Sequence, residues 1–348
     1  MEILTTVLMF VPFIFILWLA NLAYRKQVEG QVESAKALKW ISYGLVIALY
    51  VGILFLGLLL QVVGFLAPTV DPAVLPAGPT MGIDRLPVFA LSLWVPAVVG
   101  LLLLAAPVRR VFARFTPLDP GSPVQAVALS YSAVVLLNLL VTLGIGLENL
   151  AQALEQQSAA GMSFNSIPLL WAQDITMVVL GLVGVGWLSR RSLGSALRRL
   201  AIVRPTLAQV GIGLAAGLLM APVVIGLEYL LSRMGIKAGA DVERLTEQII
   251  GPLATSIPGI LTLGLAAALG EETVFRGALQ PRFGLIFTTL LFALLHSTYG
   301  ITLATLIVFG VGLVLGLLRM RYNTTTSMVA HATYNMTLGL VAMLGVLK

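Results

Sequence analysis

Six residues in the last third of this 348-residue chain have the types and spacing that do chemistry: Glu271, Glu272, Arg276, His296, His331 and Asn335. All but Arg276, which follows directly after one, fall in apolar segments, where an ionisable side chain is costly and kept for a purpose. His331 and Asn335 are four residues apart and share one helix face, and so do Glu272 and Arg276, which can pair. Glu271 is turned about 100° from Glu272, so the two carboxylates are free to take different tasks. A carboxylate that accepts a proton from water, beside N–H donors aimed at a developing oxyanion, is the equipment for hydrolysing a peptide bond. The chain has no Cys and no G-x-S-x-G, which makes water the economical nucleophile. Other chemistry uses the same residue types. Glu, two His and Asn can ligate zinc, although H-E-x-x-H is missing. Intramembrane Glu and His also suit the proton relay of a transporter, although no matched repeats appear. A non-catalytic scaffold is the third alternative. Asp174 and Glu228, also in apolar segments, read as packing or cavity residues.

The elements that must carry these residues are membrane helices. The chain is 59% hydrophobic and 10% charged, too few charges to solvate a globular surface of this size. Its apolar residues come in about ten blocks near the length of a spanning helix: 3–23, 40–66, 86–107, 123–147, 167–188, 206–231, 252–275, 283–297, 301–319 and 325–347. The expected fold class is therefore all-α, a polytopic transmembrane helical bundle, with the eighth segment short and tilted or partly re-entrant. The first block lacks a basic start and a small-residue cleavage site, so it reads as a span that stays in place. Ser192–Leu200 has helical spacing and reads as a surface helix. Gly213-x-x-x-Gly217 and Gly312-x-x-x-Gly316 fit close helix packing. A soft boundary near 160 divides an N-terminal transmembrane region, 1–160, from a core at 161–348.

Depth and charge supply two further constraints. At about 1.5 Å per residue, Glu271 lies roughly 15 Å and His296 roughly 21 Å from the loop at Pro281–Arg282. His331 lies roughly 10 Å and Asn335 roughly 17 Å from the loop at Asn323–Thr324. Three helices thus bring polar groups into one slab of the membrane. Of the 21 Lys and Arg, only Arg85, Arg233, Lys237, Arg244 and Lys348 fall on one set of alternate loops. The other set holds the rest and is placed in the cytoplasm by the positive-inside rule, with both termini on the opposite side. Basic residues in short loops do not call for a nucleic-acid partner. The net charge of +6 is what such loops give, and the compact loops fit a bacterial cytoplasmic membrane.

Three stretches resemble the motifs of one family. Glu271-Glu272-Thr273-Val274-Phe275-Arg276 resembles E-E-x-x-x-R, Phe292-Ala293-Leu294-Leu295-His296 resembles F-x-x-x-H, and His331-Ala332-Thr333-Tyr334-Asn335 resembles H-x-x-x-N. In this order they resemble the CAAX-prenyl-protease and bacteriocin-processing (ABI) family of intramembrane proteases, with the motifs inside 251–345. The resemblance implies an intramembrane endopeptidase acting on a membrane-associated or lipidated peptide or protein, with membrane lipid as its surroundings and no cofactor. Zinc remains the alternative. It also implies roles: Glu271 as general base, His296 holding and polarising the water, His331 and Asn335 as oxyanion donors, and Glu272 and Arg276 as support. It implies nothing for the first four spans.

The charge distribution yields a topology test. A reporter fused after Lys348 is expected to be active only on the non-cytoplasmic side, and activity in the cytoplasm alone would refute the assignment.

Overall fold

Apolar runs of this length satisfy their backbone hydrogen bonds inside a bilayer only as helices, and helices make up most of the described residues. The structure, a computed structural model, describes residues 2–66, 85–159, 166–236 and 239–345, and no strand occurs among them. Most of the Pro- and Gly-rich stretch at 67–85 lies outside the described residues, as do Lys237, Lys348 and the boundary expected near 160.

Chain order begins with α1 (Glu2–Val28), α2 (Val32–Leu66) and α3 (Leu86–Leu104), then a short α4 (Ala106–Phe112) and α5 (Pro123–Ile145). After α6 (Leu147–Ala159) and α7 (Ser166–Gly184) come the short α8 (Leu193–Arg199), α9 (Leu207–Arg233) and α10 (Ala240–Ala254). α11 (Ile257–Glu272) passes through a π-helical stretch, Thr273–Leu279, into α12 (Gln280–Phe283). α13 (Leu285–Leu295), α14 (Leu303–Arg321) and α15 (Thr324–Met343) complete the fold.

Among the described residues eight helices are long and apolar enough to cross a membrane: α1, α2, α3, α5, α7, α9, the composite α11–α12, and α14. The other two expected spans are present as helices but differ in kind. α13 has only 11 residues, about 16 Å, roughly half the hydrocarbon thickness. α15 is long enough at 20 residues, but its Thr-rich start and His331 and Asn335 keep it outside that apolar set. α8 matches the surface helix expected at Ser192–Leu200. Large apolar side chains point away from the bundle, among them Phe55, Phe65, Leu219, Val223, Ile286 and Leu306, each more than three-fifths exposed. Patches of that extent suit hydrocarbon and not water, so the protein is an integral, multi-pass membrane protein.

Two packed groups meet along α1 and α7. In the first, Ile16, Leu17, Tyr43, Val46, Tyr50, Ala97 and Val127 form a core between α1, α2, α3 and α5. Buried hydroxyls there are satisfied by carbonyls: Tyr50 donates to Ser130 O and Ser130 to Gly100 O, each at 2.7 Å. In the second, α9 and α11 flank α15. Both expected glycine pairs lie at close crossings. Gly213 and Gly217 face Val329, Ala330 and Thr333 of α15, and Gly312 and Gly316 face Thr289 of α13 and Gln280 of α12. A Cβ at Gly217 would stand 2.5 Å from the Ala330 carbonyl oxygen and from Thr333 Cβ. Neither neighbour can rotate away, because one is backbone and the other is fixed to it.

Gly217→Val therefore forces α9 off α15. The expected cost is about 1–3 kcal/mol, typical of overpacking, read as a lower thermal midpoint in detergent. An unchanged midpoint would show that this crossing does not hold the bundle.

Candidate active site

The Glu271-Glu272 pair closes a regular α-helix. Immediately after it the hydrogen bonding widens into the π-helical stretch Thr273–Leu279. Single π turns inside α-helices recur at functional sites, because the extra residue in the turn re-aims the side chains around it. Here the turn sets Arg276 beneath Glu272, with Arg276 Nε 3.4 Å from Glu272 Oε2. Both side chains are essentially sealed from solvent, Glu272 at 0% and Arg276 at 1% exposure. A buried pair of this kind persists only with additional partners. Ser327 Oγ donates to Glu272 Oε2 at 2.5 Å, and His331 Nδ1 lies 3.1 Å from Glu272 Oε1. On the Arg276 side, Nη2 donates to Gly312 O at 3.2 Å and the guanidinium stacks 4.1 Å from the centre of the Phe292 ring. That aromatic face stabilises a cation in a dry site.

The contact with Glu272 decides how His331 presents itself. A carboxylate oxygen only accepts, so the proton belongs on Nδ1 and Nε2 is turned the other way. His331 Nε2 stands 4.0 Å from Glu271 Oε2, too far for a hydrogen bond. That Glu271 oxygen has no hydrogen-bond partner. The two carboxylates are thus divided in environment: Glu272 is fully engaged and sealed, while Glu271 is partly open and faces the cavity.

His296 reaches the same cavity by a different device. α13 ends after 11 residues, about half the length a span needs, with His296 as its C-cap, and a 3-10 turn, Ser297–Tyr299, follows. Irregular backbone at membrane depth is tolerated when protein satisfies it. Asn138 of α5 donates to Leu295 O at 3.3 Å and to Ser297 Oγ at 2.9 Å, and Thr142 donates to Ser297 Oγ at 3.0 Å. The helices before residue 160 therefore brace the turn that carries His296. His296 Nδ1 lies 2.9 Å from Phe292 O, which places a proton there and leaves Nε2 of the neutral ring as an acceptor. The ring lies between Phe292 and a stacked Tyr299.

Glu271, His296, His331 and Asn335 all line one cavity of about 2880 Å³, while Glu272 and Arg276 stand behind its wall. Asn335 Nδ2 donates to Leu263 O at 3.0 Å. This fixes the amide and leaves it one further N–H. The cavity exceeds the about 300–1,000 Å³ usual for small-molecule sites, so it has room for a chain. Among the described residues no group of three or more His, Asp or Glu side chains is arranged to hold a metal ion.

Asp174 and Glu228, expected as packing or cavity residues, both line the cavity, and a further residue was overlooked in the sequence. Asp174 of α7 is 3% exposed, its Oδ1 has no partner, and it packs on the bare Cα of Gly270, next to Glu271. Glu228 of α9 lines the cavity as well. Ser327 was overlooked. It precedes His331 by four residues and so shares its face, a spacing that could have flagged it.

The comparisons fall on this same region. Residues 253–337 match the family model described as Type II CAAX prenyl endopeptidase Rce1-like. No curated protein and no solved structure matches the chain. The matched stretch runs from the end of α10 into α15 and contains all six residues singled out by type and spacing, so over residues 253–337 this membrane protein is similar to the Rce1-like type II CAAX prenyl endopeptidases.

Proposed function

We propose that the protein is an intramembrane endopeptidase that hydrolyses a peptide bond of a membrane-associated or lipidated peptide, with Glu271 as the base. The observation that carries this reading is the division between the two carboxylates. Glu272 is spent on Arg276, Ser327 and His331, whereas Glu271 faces the cavity with an oxygen free. Glu271 takes a proton from water, with His296 Nε2 accepting the second O–H to aim the lone pair. Hydroxide adds to the carbonyl carbon, and the carbonyl oxygen becomes an oxyanion. Asn335 offers it the remaining N–H, and His331 offers Nε2–H when the ring carries both protons. The C–N bond then breaks, and Glu271 passes its proton to the leaving nitrogen. Glu272 acts through His331 by fixing the ring, and Arg276 acts through Glu272. The apolar walls of the cavity suit a lipidated or otherwise amphiphilic substrate.

Glu271→Gln keeps the shape and removes the base, so hydrolysis of a cognate membrane peptide is expected to disappear while expression and thermal midpoint stay near wild type. Retained turnover would sink the assignment.

Asn335→Ala is expected to lower kcat on the order of 100- to 1,000-fold, the usual loss for one oxyanion donor, with little change in KM. Added zinc should leave the variant unchanged. Recovery of activity with zinc, or a pure KM effect, would move the pair from oxyanion donors to metal ligands.

A further inference from the structure

On the arginine-rich face of the bundle the cavity wall carries four guanidinium groups: Arg190 and Arg191 from the turn after α7, Arg199 from α8 and Arg282 from α12. None of them pairs with an acid among the described residues. Arg282 is exposed and the other three are half-buried. They sit close enough to repel one another. Burial, with the charges of Arg191, Arg199 and Arg282, brings Arg190 down to about 10. Burial, with Arg282, Arg191 and Arg319, does the same to Arg199.

The preference for basic residues on one membrane face explains arginines in loops that splay into water. It does not explain why these are held together. Arg190 Nε donates to Asn21 Oδ1 at 2.8 Å and its guanidinium lies 4.7 Å from the centre of the Tyr24 ring. Arg191 Nη1 donates to Val185 O. Leu188 (φ 63°) and Ala201 (φ 55°) are the only non-glycine residues at positive φ among the described residues, and they bracket this segment. Backbone strain of this kind persists where surrounding structure enforces it, and it clusters at functional sites. Thr324 does the enforcing here: its N–H donates to Ala201 O at 3.0 Å and its hydroxyl to Leu200 O at 2.6 Å.

Strained backbone that gathers unpaired like charges at a membrane face calls for an anion. Arginine forks match phosphate oxygens, and basic pockets between membrane helices take anionic headgroups. We propose that Arg190, Arg191, Arg199 and Arg282 form a phosphate-binding site that seats the headgroup of an anionic phospholipid at the cavity mouth. The neighbouring wall of Leu180, Val185 and Leu279 would lie along its acyl chain. The inference stands whether or not the peptidase reading does.

The test is thermal unfolding of the full chain in neutral detergent, with phosphatidylglycerol, phosphatidylcholine or inorganic phosphate added at matched ionic strength. Phosphatidylglycerol is expected to raise the Tm saturably and phosphatidylcholine to leave it unchanged. Arg282→Gln, at an exposed position, should raise the apparent Kd for phosphatidylglycerol about fivefold, and Arg199→Gln about fivefold more. The lipid-free Tm of both variants should hold or rise, since each removes a repulsive neighbour. A Tm shift reproduced in full by inorganic phosphate would uphold the anion site and assign it to free phosphate. No shift with any anion, equal shifts with both lipids, or an undiminished shift in the double variant would overturn the proposal.

Discussion

A carboxylate sealed from water inside a membrane bundle has to be compensated, and Glu272 is such a carboxylate. Left unpaired it would cost several kcal/mol. The structure therefore commits an arginine, a serine and a histidine to it, drawn from the π turn and from α15. Each of these has further obligations. Arg276 requires Gly312 and the face of Phe292, and its own carbonyl accepts from Arg319 Nε at 3.0 Å. Ser327 Oγ also lies 2.9 Å from Leu315 O, a second acceptor near its single O–H. The network ties α11, α13, α14 and α15 together around one charge. Because His331 is held through Nδ1, its other nitrogen is aimed at Glu271. The costly buried ion is thus what gives the open carboxylate a defined neighbour.

The bilayer imposes the second organising constraint. Water is absent from the hydrocarbon, so every break in a helix needs a protein partner. The break after α13 places His296 beside the cavity, and α5 supplies the amide and hydroxyls that make it tolerable. A helix far from the motifs in sequence is in this way part of the scaffold around the cavity.

Much of this was legible in the sequence, for reasons that can be named. Apolar blocks mark helices because the membrane permits little else. The pairing of Glu272 with Arg276 follows from helical spacing, and the glycine pairs follow from the need for close approach. The different surroundings of Glu271 and Glu272 were legible as a difference in angle and as the separate roles the resemblance implies, but not as geometry, since the π turn leaves no periodic signal. The packing of Asp174 on Gly270 lay hidden because the two are almost a hundred residues apart, and no local pattern announces a helix crossing. The amphipathic α6 and α10 were missed because their mixed composition falls below any spanning threshold. They meet through Gln248 and Glu155 at 3.0 Å, a contact only the fold reveals.

The half-length of α13 also bears on the lipid around it. Its outer face is apolar, with Ile286 and Leu290 turned outward, yet it covers only about 16 Å before the chain becomes irregular. On that flank the protein presents a shorter hydrophobic height than on the flank of α2, which runs 35 residues. Lipid beside α13 must thin, tilt or admit water, at a cost of fractions of a kcal/mol per Å of mismatch. The bundle is therefore an asymmetric inclusion that deforms its bilayer on one side. Thinner lipid beside His296 would shorten the path by which water reaches that depth.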